Sequence, residues 1–147
     1  MIFCRIVNQY DCAGMIIHRK IVTECWFSLT HRYNHLYLGE WMVMPDHLHG
    51  IIGIRSPLAG ASRGAPTMYS IKPLGELMGA FKTMAANRIN RLRGTPGVSV
   101  RQRNYYERII RNERELDTVR EYIRTNPMRA GLKPAPTMVP KALNPRF

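Results

Sequence analysis

Two β-rich stretches, Tyr37–Met44 and His47–Ile54, are separated only by Pro45 and Asp46. This arrangement constrains the fold more than any other feature. Proline breaks the first stretch and Pro-Asp opens a turn, so the two are expected to pair as a tight antiparallel hairpin. Within the second stretch, residues two apart point to the same face of the sheet. His47 and His49 would then present two imidazoles side by side while Leu48 turns into the core. Neutral imidazole is a common metal ligand, so this is half of a metal site. The plainer alternative is two histidines on the wet face of an amphipathic strand.

Around the hairpin the pattern is mostly helical. Met1–Val7 is a short apolar fragment, a strand remnant or hairpin arm. Asp11 is placed to cap a helix over Cys12–His31, in which Ile16, Ile17, Ile21, Val22, Cys25, Trp26 and Leu29 recur at helical spacing and belong to the core. Ser56–Lys72, with Pro57, Gly60, Gly64 and Pro66, reads as a loop. Pro73 suits the first turn of a helix whose apolar face is Leu74, Leu77, Met78, Phe81, Ala85, Ile89 and Leu92 and which Gly94 closes. A strand is expected within Val98–Ile110. Asn112 is the natural cap of a last helix, with Glu113 and Glu115 near its positive end, and Pro127 is expected to end it near Thr125 or Asn126. The whole reads as one domain over residues 1–132, α+β, with helices on one face of an antiparallel sheet, followed by an extended or disordered proline-rich tail over 133–147.

Charge points to the partner. The formal net charge is +12, which favours a polyanion, nucleic acid before an anionic membrane surface, over a basic protein charged only for solubility. From Arg55 to Arg103 the basic residues include Lys82, Arg88 and Arg103, and Glu76 is the only acid. Such a stretch suits sequence-tolerant, salt-dependent phosphate binding. The three cysteines, Cys4, Cys12 and Cys25, have no metal-type spacing and read as reduced thiols in the cytoplasm. No apolar run approaches the roughly 18 residues of a membrane span, and no signal peptide is evident.

On the last helix Leu116, Val119 and Ile123 form the buried stripe, with Tyr122 and Asn126 together beside it, four residues apart. A hydroxyl nucleophile and an amide oxygen are thereby offered on one side; the alternative is a packed tyrosine followed by a helix-ending Asn-Pro.

Three segments carry a family resemblance: Val43-Met44-Pro45-Asp46-His47-Leu48-His49-Gly50-Ile51-Ile52, then Gln102-Arg103-Asn104-Tyr105-Tyr106-Glu107-Arg108-Ile109-Ile110-Arg111-Asn112-Glu113, then Arg120-Glu121-Tyr122-Ile123-Arg124-Thr125-Asn126-Pro127. In this order and spacing they resemble the REP-associated tyrosine transposases, relatives of the single-tyrosine insertion-sequence transposases with a His-hydrophobe-His motif. Leu74-Gly75-Glu76-Leu77, Phe81-Lys82 and Leu92-Arg93-Gly94-Thr95-Pro96-Gly97 match as well, so that about residues 14–131 are covered.

The resemblance implies a ferredoxin-like antiparallel sheet with helices packed on it. It implies action on single-stranded or hairpin DNA of the repetitive palindromic kind, by a monomer or homodimer in the cytoplasm. It also implies metal-dependent nicking and rejoining through a 5′-phosphotyrosine. The family motif carries metal binding onto His47 and His49 and the nucleophile onto Tyr122, with Asn126 where relatives place a polar third ligand. The implied cofactor is a divalent cation, Mg²⁺ or Mn²⁺; imidazole suits the softer Mn²⁺. A phenol titrates near pH 10, so it is a weak nucleophile that gains from a cation polarising the phosphate. Arg120 and Arg124 are placed to hold the DNA backbone, with an ordinary solvated helix face as the alternative, and Tyr105 or Tyr106 to stack on bases, one of the two being core.

Two departures stand out. The family opens with a strand lying beside the histidine strand, and only Ile2–Val7 precedes the first helix here, so the first strand is expected to be missing or truncated, leaving a gap in the sheet. Arg101 replaces a tryptophan that relatives carry before Gln-Arg. The alternative function is therefore an inactive, truncated remnant that only binds nucleic acid.

Overall fold

The computed structural model describes residues 2–7, 15–45, 47–55, 71–100, 105–129 and 131. In chain order these form β1 (Ile2–Val7), α1 (Met15–Arg32), β2 (Leu36–Val43), β3 (His47–Ile54), α2 (Leu74–Arg93), β4 (Tyr105–Ile109) and α3 (Glu113–Arg129). The four strands make one sheet in the order β2-β3-β1-β4, every neighbouring pair antiparallel. This is the ferredoxin-like arrangement, with α3 added after the last strand.

The expected gap in the sheet is corrected by β1. Ile2–Val7 pairs with β3 on one side, Ile6 opposite Leu48, and with β4 on the other, Ile6 opposite Tyr105. Six residues is an ordinary strand length, and the ladder bonds that a missing strand would have orphaned on β3 are made. Arg101, Arg103, residues 56–70 and the tail over 133–147 lie outside the described residues. No described helix is long and apolar enough to cross a membrane.

Helices lie on both faces of the sheet, not on one. Strand residues alternate between two separate apolar clusters. Leu36, Val43, Leu48 and Ile52 meet Val22, Cys25, Trp26 and Leu29 of α1 and Leu77, Met78, Phe81 and Ile89 of α2. On the opposite face Met42, Met44 and Ile51 meet Leu116 and Ile123 of α3, with Val119 beside them. β3 is thus covered on both sides. At Gly50 a Cβ would stand 2.3 Å from Cζ2 of Trp26, so only glycine leaves room for the indole against the strand that carries the histidines. Trp26 in turn meets Phe81 edge to face, with ring centroids 5.4 Å apart.

The hairpin closes tightly: the Met44 amide donates to the His47 carbonyl at 2.7 Å. β2 contains a bulge. Leu38 pairs with Ile52 and Trp41 with Gly50, so Gly39 and Glu40 together stand opposite Ile51. The extra residue resets the alternation. Trp41 returns to the α1/α2 side, and Glu40 is left on the α3 side, bonded to two arginines of that helix.

Asp11 and Cys12, the expected cap and start of α1, lie outside the described residues; the ends of α2 and α3 follow the sequence signals with one exception. Gly94 closes α2 with φ +66°, and Pro73 precedes its first turn. Asn112 caps α3 through Oδ1, which accepts from the Glu115 amide at 2.8 Å, while Glu115 accepts from the Arg111 amide at 3.0 Å. Pro127 does not end α3, which continues to Arg129. The missing N–H lies in the last turn, where a single intrahelical bond is lost, and the proline ring is buried.

Candidate active site

His47 and His49 occupy alternate positions of β3 with Leu48 in the α1/α2 core between them. They face the opposite side, the one that α3 covers, and the exposed reading of the pair fails: His47 is 8% and His49 1% exposed. Their Nε2 atoms are 2.8 Å apart and the rings stand nearly perpendicular, 4.5 Å between centroids. Two ring nitrogens at that distance need a proton or a cation between their lone pairs.

The pair fits a divalent cation. Two adjacent ligands of an octahedral ion at about 2.1 Å are held about 3.0 Å apart, close to the 2.8 Å between these nitrogens. Among the described residues no group of three His, Cys, Asp or Glu comes together. An ion held here would therefore complete its shell with an amide, water or substrate oxygens.

α3 brings Tyr122 to this point. Its ring lies 5.3 Å from that of His49, again edge to face at 81°. Tyr122 is 39% exposed, so it is both seated against an imidazole and open to solvent. Asn126 is one turn further along the same flank and is partly buried. Three of the four residues read from the motif, His47, His49 and Tyr122, thus meet as neighbouring rings, and the fourth follows on the same helix.

The cations expected to hold DNA are placed differently from one another. Arg120 donates through Nε to Glu40 Oε2 at 2.9 Å, and Arg124 through Nη2 to Glu40 Oε1 at 2.8 Å. Arg120 also reaches Asp117. Burial works against the charge on Arg120, but the hydrogen bonds and charges of Glu40 and, more weakly, Asp117 together offset it and raise the guanidinium pKa. Lys82 is buried, its Nζ 5.1 Å from the Tyr105 ring centroid. Arg88 pairs with Glu24 and donates to the Cys25 sulfur. Tyr105 packs against the α1/α2 core, whereas Tyr106 is 59% exposed.

Sequence reasoning missed Glu40, the carboxylate that accepts from Arg120 and Arg124, which was signalled only by Gly39 inside a strand, the mark of a bulge. Of the two tyrosines offered for base stacking, Tyr105 is the core one and Tyr106 belongs to the row of the histidines, since register pairs Met42 with His49, His49 with Arg5 and Arg5 with Tyr106.

A Haemophilus influenzae protein described only as uncharacterized is 30% identical over 135 residues, which cover 86% of this chain and 73% of that protein. The chain belongs to the same family as that protein. No model of a known protein family matches it. The fold of this chain is like that of a transposase of known structure. The structure of a REP-associated tyrosine transposase bound to a REP hairpin superposes with a TM-score of 0.62 at 16% identity, covering 90% of this chain and 69% of that one. A crystal structure of a Deinococcus radiodurans protein provisionally assigned as a transposase gives a TM-score of 0.46 at 16% identity, over 84% of this chain and 88% of that one.

Proposed function

We propose that this chain nicks and rejoins single-stranded DNA at hairpins through a transient 5′-phosphotyrosine, as a tyrosine transposase does. The observation that carries the reading is the seating of Tyr122 against His49, 5.3 Å between ring centroids, beside a His47–His49 pair 2.8 Å apart. A net charge of +12 suits a polyanionic substrate. The shared fold with a transposase that was solved on a REP hairpin supports the class of DNA.

The residues divide the work as follows. Tyr122 Oη attacks the scissile phosphorus and forms the O–P bond. The P–O3′ bond breaks, and the phenol's proton ends on the departing 3′-oxygen. The DNA is left as a 5′-phosphotyrosine and a free 3′-hydroxyl. Attack by a 3′-hydroxyl on that linkage restores the phenol, so no bond energy is lost to water. His47 and His49 would hold Mg²⁺ or Mn²⁺ through Nε2, with the Asn126 amide oxygen as a third donor. Such an ion supplies charge stabilisation to the phosphate oxygens. Packing against His49 restricts the Tyr122 ring before DNA arrives, which reduces the orientation cost of attack. Tyr106, exposed in the same cross-strand row, is the better base-stacking platform than Tyr105.

The test is a denaturing gel of protein incubated with a labelled hairpin oligonucleotide and Mn²⁺. Wild type should give a band shifted by the mass of the chain, and Tyr122→Phe none, with DNA affinity retained. Binding without any adduct in wild type would leave a nucleic-acid-binding protein only.

A further inference from the structure

Three apolar residues, Leu116, Val119 and Ile123, anchor α3 to the sheet. They form one stripe along the helix. Successive residues are about 100° apart around a helix, so Arg120 and Arg124 fall on one flank of that stripe and Tyr122 on the other, about 160° from both. A narrow stripe limits the distance of a helix from a sheet better than its rotation about its own axis. Rotation is what places Tyr122. At about 6 Å from the axis, a 20° roll moves a side chain by about 2 Å.

Glu40 opposes that roll. Its side chain is 11% exposed and accepts from both arginines, one through each carboxylate oxygen, at 2.9 and 2.8 Å. It stands on the β2 bulge opposite Ile51, on strands covered on the α3 side by Met42 and Ile51. We infer that Glu40 is a positioning residue: by clamping Arg120 and Arg124 on one flank of α3 it sets the helix roll that holds Tyr122 against His49 on the other. The inference rests on the proposed function for its effect on catalysis, but not for its geometry. It also gives Arg120 and Arg124 an intramolecular partner, so their first task is to orient the nucleophile helix.

The test compares wild type with Glu40→Gln, which keeps shape and removes charge, and with Arg124→Gln, which lies on the more exposed arm of the clamp. Three quantities are read: the rate of Tyr122–DNA adduct formation at saturating hairpin DNA, the DNA dissociation constant, and the NMR cross-peak between the Tyr122 and His49 rings in DNA-free protein. Displacements of an ångström or more cost about 100-fold in well-oriented reactions. The saturating rate should therefore fall about 10- to 100-fold in Glu40→Gln, and by less in Arg124→Gln. The cross-peak should weaken in both. DNA affinity should be unchanged or tighter in Glu40→Gln, because Arg124 loses the Glu40 carboxylate and Arg120 keeps only that of Asp117. An unchanged cross-peak with an unchanged saturating rate overturns the inference. So does weaker DNA binding in Arg124→Gln with an unchanged rate, which would make the arginines DNA contacts instead. If wild type forms no adduct, the proposed function fails, and the cross-peak alone then decides the positioning role.

Discussion

Replacing Gly50 by alanine should damage the molecule through one contact. The added Cβ would stand 2.3 Å from Cζ2, 2.8 Å from Cη2 and 3.2 Å from Cε2 of Trp26. Ordinary contact begins near 3.4 Å, so the indole and the strand must separate by about 1 Å. The indole has little room to move. Trp26 is fully buried and braced edge to face on Phe81. Inserting one methyl into such a core costs typically about 1–3 kcal/mol, or a fall of about 2–10 °C in the melting temperature of a domain of this size. Strain that moves β3 also moves His49, the residue after Leu48 and before Gly50, toward α3. Gly50→Ala should therefore lose adduct formation out of proportion to its loss of folded protein at the assay temperature. The assay is a thermal melt by circular dichroism with adduct formation measured well below the transition. Trp26→Phe in the same chain makes room, so the double variant should melt closer to Trp26→Phe alone than the sum of the two single effects would place it. A melting temperature for Gly50→Ala within about 1 °C of wild type would refute the contact argument.

Further outcomes follow from the same geometry. Asn112→Ala removes the Oδ1 cap on the Glu115 amide and should lower stability by about 1 kcal/mol, read as a denaturation midpoint shift with an unchanged slope. Tyr106→Ala should weaken single-stranded DNA binding by about 1–3 kcal/mol per stacked base with little effect on the melt. Tyr105→Ala should do the reverse, since its ring packs on the core and lies beside Lys82 Nζ; equal DNA losses in both variants would count against the assignment. Burial raises the Cys25 thiol pKa, with the hydrogen bond and charge of Arg88 opposing it more weakly. Iodoacetamide at pH 8 should therefore leave Cys25 unmodified in the native protein and alkylate it after denaturation, as read by peptide mass. Rapid native alkylation at Cys25 would contradict the burial.

Much of this was legible because β3 and α3 write their periods plainly. The alternation at His47, Leu48 and His49 put the two imidazoles on one face without saying which layer covers it, their partners came from the family resemblance, and Leu116, Val119 and Ile123 fixed which side of α3 turns inward, leaving Tyr122 on its flank. Asn112 and Gly94 marked helix ends by local chemistry that tertiary structure had no reason to override. The failures are equally physical. Ile2–Val7 looks too slight to be a central strand, because its value lies in pairing with residues far along the chain, which no local window contains. Pro127 signalled a stop by the rule for helix interiors, but in a last turn little remains to be broken. Helices on both faces of the sheet could not be told from helices on one, since α3 carries an ordinary amphipathic stripe whichever side it covers. Glu40 was invisible for a related reason: strict alternation through β2 sends it to the other face, and only the bulge at Gly39 turns it toward the arginines.

The two-sided burial of β3 has an evolutionary corollary. His47 and His49 fill interior space as Leu48 and Ile51 do, so a gene copy released from selection for DNA cleavage would still be under pressure to keep bulky rings there. Tyr122 is held differently: it is 39% exposed and its ring is seated against His49, and in the proposed mechanism its phenolic oxygen is the atom that cleavage needs beyond the packing of the ring. On the mechanism proposed above, survival of that single oxygen among divergent descendants would be a sharper marker of cleavage activity than survival of the two histidines.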